Sequence, residues 1–174
     1  MSDDIRIRTL QGCGERELEG LSEVLVDCVE GGASVSFMLP LAREKAVAYW
    51  RGVAASAARG ERVLLAAEDA AGSIVGTVQL ILDLPENQPH RGEIAKMLVH
   101  RRARRRGVGD ALLKCAEDHA RRAGRTLLVL DTASGDAERL YVRHGWQRCG
   151  QIPGYALWPD GRPCATTIYF RSMS

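Results

Sequence analysis

A basic, glycine-containing turn between a strand-like and a helix-like segment constrains this chain more than any other feature. The turn is Arg104-Arg105-Arg106-Gly107-Val108-Gly109, and it joins the apolar run 94–99 to the helix-like segment 110–123. A helix that begins here directs unpaired backbone N–H groups and the positive end of its dipole at one point. Without a bound anion, each arginine crowded there is unfavourable by roughly 0.3 to 1 kcal/mol. The sequence therefore predicts a phosphate or pyrophosphate site at this turn.

Length and composition indicate one globular domain that comprises residues 1–174. Of these 174 residues, 45% are hydrophobic and 26% charged, which is typical of an ordinary soluble protein. The chain starts with an acidic, polar segment, and polar residues interrupt the apolar segment 74–84. We therefore expect neither a signal peptide nor a membrane span, and a cytoplasmic location.

The spacing of cysteines and histidines argues against metal sites and disulfides. The five cysteines are scattered and include no C-x-x-C pair, and the four histidines lack metal-ligand spacing. We predict reduced cysteines and no metal, and no partner is evident in the sequence for His100 or His144. The net charge is only +2, so the arginine run favours a small polyanionic ligand. A nuclear-localisation or RNA-binding arm is the alternative, and we expect no nucleic-acid partner.

Hydrophobic periodicity predicts an α/β fold with a mixed central sheet of six to seven strands and about four flanking helices. The predicted strands cover 5–10, 63–68, 73–84, 93–99, 126–130, 146–149 and 166–170, and the predicted helices cover 18–29, 40–59, 110–123 and 137–144. Pro40 is expected to start the second helix, and Pro153-Gly154 and 159–161 are expected to form turns. The strand, helix and strand within 93–130 form a right-handed parallel crossover if both strands share a sheet.

Three segments together resemble the GCN5-related N-acetyltransferase (GNAT) superfamily. They are the R-x-x-G-x-G motif at 104–109, the strand end Leu130-Asp131-Thr132, and the helical segment 137–146, in which Tyr141 precedes Gly145-Trp146. Within the superfamily the chain is most similar to the tabtoxin-resistance acetyltransferases. That closer similarity is carried by 31–35, 37–38, 130–132, 153–155, 159–162 and 168–170.

The resemblance implies a GNAT domain that transfers the acetyl group of acetyl-CoA to a primary amine by direct attack in a ternary complex. The implied cofactor-binding residues are Met97, Leu98, Val99, Arg104, Arg105, Arg106, Gly107, Val108, Gly109 and Tyr141. Tyr141 occupies the position where related enzymes place a general acid beside the CoA sulfur. A backbone N–H near Leu98 is expected to stabilise the tetrahedral oxyanion.

Two carboxylates are candidates for the general base. Asp131 ends the strand after the predicted helix and is the first choice, and Glu93 at the start of the central strand is the second. Each has an alternative interpretation without catalysis. Glu93 is a solvated strand end in that case, and Asp131 caps the turn 132–135 through an Asx-type bond.

The acceptor pocket is expected to form from the loop 31–38, the helix beyond it and the tail around Tyr155 and Trp158. The candidate substrate-binding residues are Gly32, Ala33, Ser34, Phe37 and Tyr155. The resemblance implies a small amine, amino-acid-like or a β-lactam toxin such as tabtoxinine, with a role in toxin resistance, and it makes a homodimer plausible. Two alternatives stay open: a CoA-binding sensor module without turnover, and a protein-substrate acetyltransferase with an open groove at 31–38.

Overall fold

A computed structural model of the chain, which describes residues 4–173, contains a seven-stranded sheet in the order β1-β2-β3-β4-β5-β7-β6. The strands are β1 Arg6–Leu10, β2 Arg62–Glu68, β3 Ile74–Ile81, β4 Arg91–Val99, β5 Leu127–Thr132, β6 Gln147–Leu157 and β7 Pro163–Ser172. The helices are α1 Glu15–Glu30, α2 Arg43–Ala58, α3 Val108–Arg122 and α4 Gly135–Arg143, with one 3₁₀ turn at Arg101–Ala103. This architecture confirms the predicted mixed α/β fold.

One strand pair in the sheet is parallel. β4 runs parallel to β5 and the connection between them contains α3, whereas every other neighbouring pair is antiparallel. The predicted parallel crossover is therefore present. A parallel pair places the carboxyl ends of both strands at the same edge of the sheet, next to the start of the connecting helix.

The sheet separates two apolar layers. In β2, Leu64 and Ala66 pack with Trp50 and the other buried residues of α1 and α2. The alternate residues Leu65 and Ala67 pack with the buried residues of α3 and α4. Because successive side chains of a strand point to opposite faces, α1 and α2 cover one face of the sheet while α3 and α4 cover the other.

Two predicted boundaries are wrong, both at prolines. The second helix begins at Arg43 after the N-cap Ala42, so Pro40 lies in the preceding loop and does not start the helix. Pro153-Gly154 does not end a strand, because β6 continues to Leu157 with an irregular register between Ile152 and Ala156. An edge strand tolerates proline because one of its sides needs no N–H donor, and a bulge absorbs the mismatch.

Gly76 of β3 fixes how closely α3 approaches the sheet. A Cβ atom at Gly76 would lie 2.8 Å from Cγ1 of Val108 and 3.1 Å from the Leu98 carbonyl oxygen. Val108 is the first residue of α3 and is buried. The absence of a side chain at Gly76 therefore lets the N-terminus of α3 rest directly on β3.

The substitution Gly76→Ala is expected to destabilise the fold by about 1 to 3 kcal/mol through overpacking. Val108→Ala in the same chain removes the nearest obstructing atom, so the double variant should be more stable than the sum of the single effects predicts. Urea unfolding of the four proteins in the cycle measures this coupling. Strictly additive free energies of unfolding would contradict the assigned contact.

Candidate active site

β4 and β5 separate after three paired positions, and the separation opens a cleft. Arg91, Gly92 and Glu93 pair with Leu127, Leu128 and Val129, and no pair follows along the described strands. The cleft beyond this point has a volume of about 1380 Å³. Its walls come from β4, the end of β5, the start of α3, α4 and the loop after α1. The backbone groups of β4 that face the cleft are therefore free of a β5 partner.

A bulge in β4 lies at this separation. Gln79 pairs with Ala95 and Thr77 pairs with Leu98, so two β4 residues, Lys96 and Met97, face a single β3 residue. Lys96 has a φ of 51°, in the left-handed region. A bulge bends its strand and redirects side chains, and bulges are frequent beside functional sites. Here it turns the half-buried Lys96 side chain into the cleft.

The arginine-rich turn and the 3₁₀ turn before it contribute three arginines to the lining of the cleft, Arg101, Arg104 and Arg105. Arg101 Nε lies 2.9 Å from Asp27 Oδ1 and Arg102 lies 3.4 Å from Asp69, so both hold the turn to the rest of the fold. Arg104 lines the cleft and donates to the Val99 carbonyl at 3.3 Å. Arg105 also lines the cleft, with a φ of 60°. Arg106 is not among the described residues that line it.

The N-terminus of α3 faces the cleft through two glycines with different roles. Gly107 is the N-cap residue with a φ of 76°, and a Cβ there would meet no atom within 4 Å. Its role is therefore conformational. A Cβ at Gly109 would lie 3.2 Å from Leu140 Cδ2, so Gly109 allows close packing of α3 against α4. Together with the unpaired N–H groups of the first turn, this is the geometry of an anion-binding helix terminus.

Tyr141 lies on α4 at the same cleft. Its ring is buried beside Trp146 and Tyr169, with ring centroids 5.8 and 6.0 Å away. Burial, together with the charge of Asp131, raises the pKa of Tyr141 above its ordinary value. The phenol therefore stays protonated at neutral pH and is able to donate a proton to a leaving group.

The two candidate bases lie on opposite sides of the strand separation. Asp131 is exposed at the end of β5 and accepts a hydrogen bond from Thr166 Oγ1 at 2.8 Å. Glu93 in β4 lies 3.4 Å from Arg91 Nη1. Both residues line the cleft. The capping alternative for Asp131 is wrong, because Thr132 and Ser134 make the side-chain hydrogen bonds of that turn.

Both histidines that lack evident partners in the sequence have partners in the structure. His100 Nδ1 lies 3.5 Å from Asp27, and His144 Nε2 lies 3.1 Å from Asp110. His144 also approaches the buried Glu117, which accepts from the Trp146 indole at 2.9 Å. The sequence separation of these partners hides them from local pattern analysis. The contacts of His100 with α1 and of His144 with α3 stabilise the positions of helices that flank the cleft.

The loop after α1 supplies part of the predicted acceptor side. Gly32, Ala33 and Ser34 line the cleft. Phe37 and Tyr155 are absent from the described lining: the Phe37 ring packs edge-on against Tyr49 at 5.2 Å, and Tyr155 on β6 is 58% exposed.

Several residues that line the cleft were missing from the sequence-based site, among them Lys96, Ser36 and Cys28. Lys96 carried a usable signal, since it is the single charged residue in the apolar run 94–99. Cys28 is buried and its Sγ donates to the Val99 carbonyl at 3.5 Å. Burial, the largest effect, raises the pKa of the Cys28 thiol.

Residues 4–173 contain neither a membrane-spanning helix nor a cluster of metal-ligating side chains. No helix there is both long and apolar enough to cross a bilayer. No group of three or more histidine, cysteine, aspartate or glutamate side chains is arranged to hold a metal ion.

A split parallel strand pair with a helix N-terminus at its open end defines the fold and site of a CoA-dependent acyltransferase. A sequence model of the acetyltransferase (GNAT) family matches residues 33–146 of this chain. The chain therefore belongs to the GNAT family and is an acetyl-CoA-dependent N-acetyltransferase.

Individual relatives are distant in sequence. An uncharacterized N-acetyltransferase in the hisH-hisA intergenic region of Azospirillum brasilense is 28% identical over 130 residues, 74% of this chain and 75% of that protein. A phosphinothricin acetyltransferase from Sinorhizobium meliloti, solved in complex with acetyl-CoA, superposes with a TM-score of 0.78 at 17% identity, covering 99% of this chain and 89% of that one. A ribosomal-protein-alanine N-acetyltransferase from Brucella melitensis superposes with a TM-score of 0.76 at 23% identity, covering 96% and 99%. At these identities the structural neighbours establish the fold alone.

Acetyl-CoA is the cosubstrate, and the residues at the cleft fit its chemistry. The N-terminus of α3 and the flanking Arg104 and Arg105 suit a pyrophosphate. The unpaired edge of β4 suits the amides of the pantetheine arm. When bound, acetyl-CoA supplies the activated acetyl group as a thioester.

Replacement of Gly107 by valine is expected to weaken acetyl-CoA binding about tenfold or more, which corresponds to about 1.4 kcal/mol. A β-branched residue is strained at positive φ, so the turn must shift away from the geometry that presents its N–H groups. Calorimetric titration of the purified protein with acetyl-CoA measures the change.

Gly124→Val is the matched control. Gly124 follows the other end of α3 with a φ of 70°, and a Cβ there also meets no atom within 4 Å. Both variants should lose a similar amount of thermal stability, and only Gly107→Val should lose affinity. Equal loss of affinity in the two variants would contradict the assigned cradle.

Proposed function

We propose that this N-acetyltransferase acetylates the primary amine of a small molecule by direct attack in a ternary complex. The observation that supports this proposal is the pair of hydrogen bonds that closes the acceptor side of the cleft. Ser34 Oγ donates to the Leu157 carbonyl at 2.9 Å, and the Leu39 N–H donates to the Pro159 carbonyl at 3.1 Å. These bonds tie the loop after α1 to the end of β6 and the turn before β7. A loop tied in this way favours a small acceptor over a protein surface.

The proposed roles follow the chemistry that each environment allows. Asp131 or Glu93 accepts the proton of the attacking amine, and backbone N–H groups near Leu98 stabilise the oxyanion. Tyr141 donates its proton to the departing CoA thiolate. The buried, protonated phenol and the polar carboxylates face one cleft, which supports a division into one acid and one base.

The acceptor class that we propose is amino-acid-like, and it includes the β-lactam toxin tabtoxinine as one candidate. The structural similarity to a phosphinothricin acetyltransferase is compatible with this class, since phosphinothricin is the acceptor named for that protein. A role in toxin resistance, a cytoplasmic location and a homodimer stay predictions from the sequence.

Tyr141→Phe is expected to lower kcat by roughly 10² to 10⁴, because the leaving thiolate loses its proton donor. The affinity for acetyl-CoA should change little, since the ring remains in place. Thiol release under saturating acetyl-CoA and acceptor measures kcat, and calorimetry measures the affinity.

Tyr169→Phe controls for the loss of a buried hydroxyl. Tyr169 lies in the same aromatic cluster, is absent from the described lining of the cleft, and donates to Glu138 at 2.7 Å. This control should cost stability of about 0.5 to 1.5 kcal/mol, because one hydrogen bond to the half-buried Glu138 is lost, and leave kcat near that of the unsubstituted enzyme. Normal turnover by Tyr141→Phe would remove Tyr141 from the role of acid.

Asp131→Asn and Glu93→Gln distinguish the two candidate bases. A general base is inactive when protonated, so kcat/KM of the intact enzyme should fall as the pH decreases through the acidic limb of its profile. The variant that lacks the base should have low kcat/KM and no acidic limb, and the other variant should keep that limb. We expect Asp131→Asn to lose it. An acidic limb that persists in both variants would exclude both carboxylates.

A further inference from the structure

Lys96 stands out among the residues of the cleft because its position requires an unusual backbone. Its φ of 51° belongs to the left-handed region, and Ser36, with a φ of 78°, is its hydrogen-bond partner. Arg105 is the third non-glycine residue with positive φ among residues 4–173, and all three line the cleft. Such conformations persist where the surrounding structure enforces them, and they cluster at ligand sites.

The hydrogen bonding of Lys96 is incomplete. Its Nζ donates to Ser36 Oγ at 2.9 Å, and among the described residues no carboxylate forms an ion pair with it. An ammonium group has three donors, so two remain for a ligand in the cleft. Half-buried in this way, the cation lacks the anionic partner that a charge taken from water normally has.

The charges around Lys96 are mixed. Asp131 and Glu93 attract its ammonium group, and Arg62 repels it. Arg62 is itself held by Ser56 at 2.9 Å and Gln79 at 2.7 Å. Burial is the largest effect on Lys96 and lowers its pKa. An anion bound at Nζ would reverse that effect, because it stabilises the charged form.

Lys96 also lies on the acceptor side of the cleft. Ser36 belongs to the loop after α1, which contributes Gly32, Ala33 and Ser34 to the walls. The arginine-rich turn and the start of α3, where the cofactor phosphates fit, approach the cleft from β4's carboxyl end. The free donors of Lys96 are therefore available to the second substrate, near the carboxylates proposed to accept its proton.

We propose that Lys96 binds the carboxylate of the acceptor and so selects amines that carry an acidic group. This inference rests on the proposed function and adds a specificity-determining residue to it. A zwitterionic acceptor matches the local charges, with its carboxylate at Lys96 and its amine towards Asp131 and Glu93. Polycationic amines and simple alkylamines lack the group that Lys96 would bind.

The test compares acids with their amides. We would measure kcat and KM for glycine and the eighteen L-amino acids that carry a primary α-amine, for their carboxamides and for phosphinothricin, with acetyl-CoA saturating. An amide keeps the reacting amine but removes the anionic charge. A site that binds a charged group strongly rejects an analogue without that charge. For the amino acid that the intact enzyme acetylates best, kcat/KM should therefore be about tenfold or more higher than for the corresponding carboxamide.

Two substitutions at Lys96 separate charge from shape. Lys96→Met should lower kcat/KM for the acid about tenfold or more, mainly through KM, and leave the amide within about twofold. Lys96→Arg keeps the cation and should retain part of the preference. Lys114→Met on the exposed side of α3 is the control for removal of a cation and should change neither substrate. Calorimetry with acetyl-CoA should give the same affinity for Lys96→Met and the intact enzyme.

Each possible result of these measurements supports or contradicts the assignment of Lys96 as the residue that binds the acceptor carboxylate. An acid-to-amide preference that survives in Lys96→Met would overturn the role of Lys96 while leaving the proposed function intact, as would a preference of the intact enzyme for amides. An equal loss for acid and amide, or a parallel loss of acetyl-CoA affinity, would show a structural role instead. A protein that binds acetyl-CoA and acetylates no amine of either kind contradicts the proposed function, and the assignment of Lys96 falls with it.

Discussion

The early separation of β4 from β5 is the constraint on which the rest of this molecule depends. Each strand is held firmly on its other side: β4 pairs with β3, and β5 pairs with β7 from Leu127 to Thr132. The separation is therefore a fixed gap between two well-bonded parts of one sheet. The bulge at Lys96 bends β4 at this gap, and α3 begins beside it. A preformed gap of this kind needs little reorganisation when a substrate enters.

The three ionisable side chains to which the cleft chemistry is assigned differ in how deeply they are buried. Tyr141 comes from a helix packed in the apolar layer, so it is kept protonated. Asp131 comes from a strand end, where it is exposed to solvent and to Thr166. Lys96 lies between these extremes. Three groups of different chemical type thus reach one space, and burial raises the pKa of Tyr141 and lowers that of Lys96.

Local sequence patterns were sufficient to predict the elements and the position of the glycine-containing turn before α3, because glycine and apolar spacing act within a few residues. They were insufficient where the outcome depends on distant partners. Arg101 contacts Asp27, which is 74 positions away in the chain, so the residues near the turn did not predict this ion pair. Phe37 packs against Tyr49, and local sequence patterns do not predict such a tertiary contact. Pro153 is tolerated in β6 only because that strand is at the edge of the sheet.

The buried Cys28 has a chemical consequence for an enzyme that releases a thiol. Disulfide exchange proceeds through the thiolate, and the raised pKa of Cys28 keeps that form scarce. We therefore expect CoA disulfides to react slowly with Cys28 in the wall of the cleft. Cys149, exposed on β6, is the thiol that such reagents reach first. The most exposed thiol of the described residues thus lies on the edge strand of the sheet and outside the lining of the cleft.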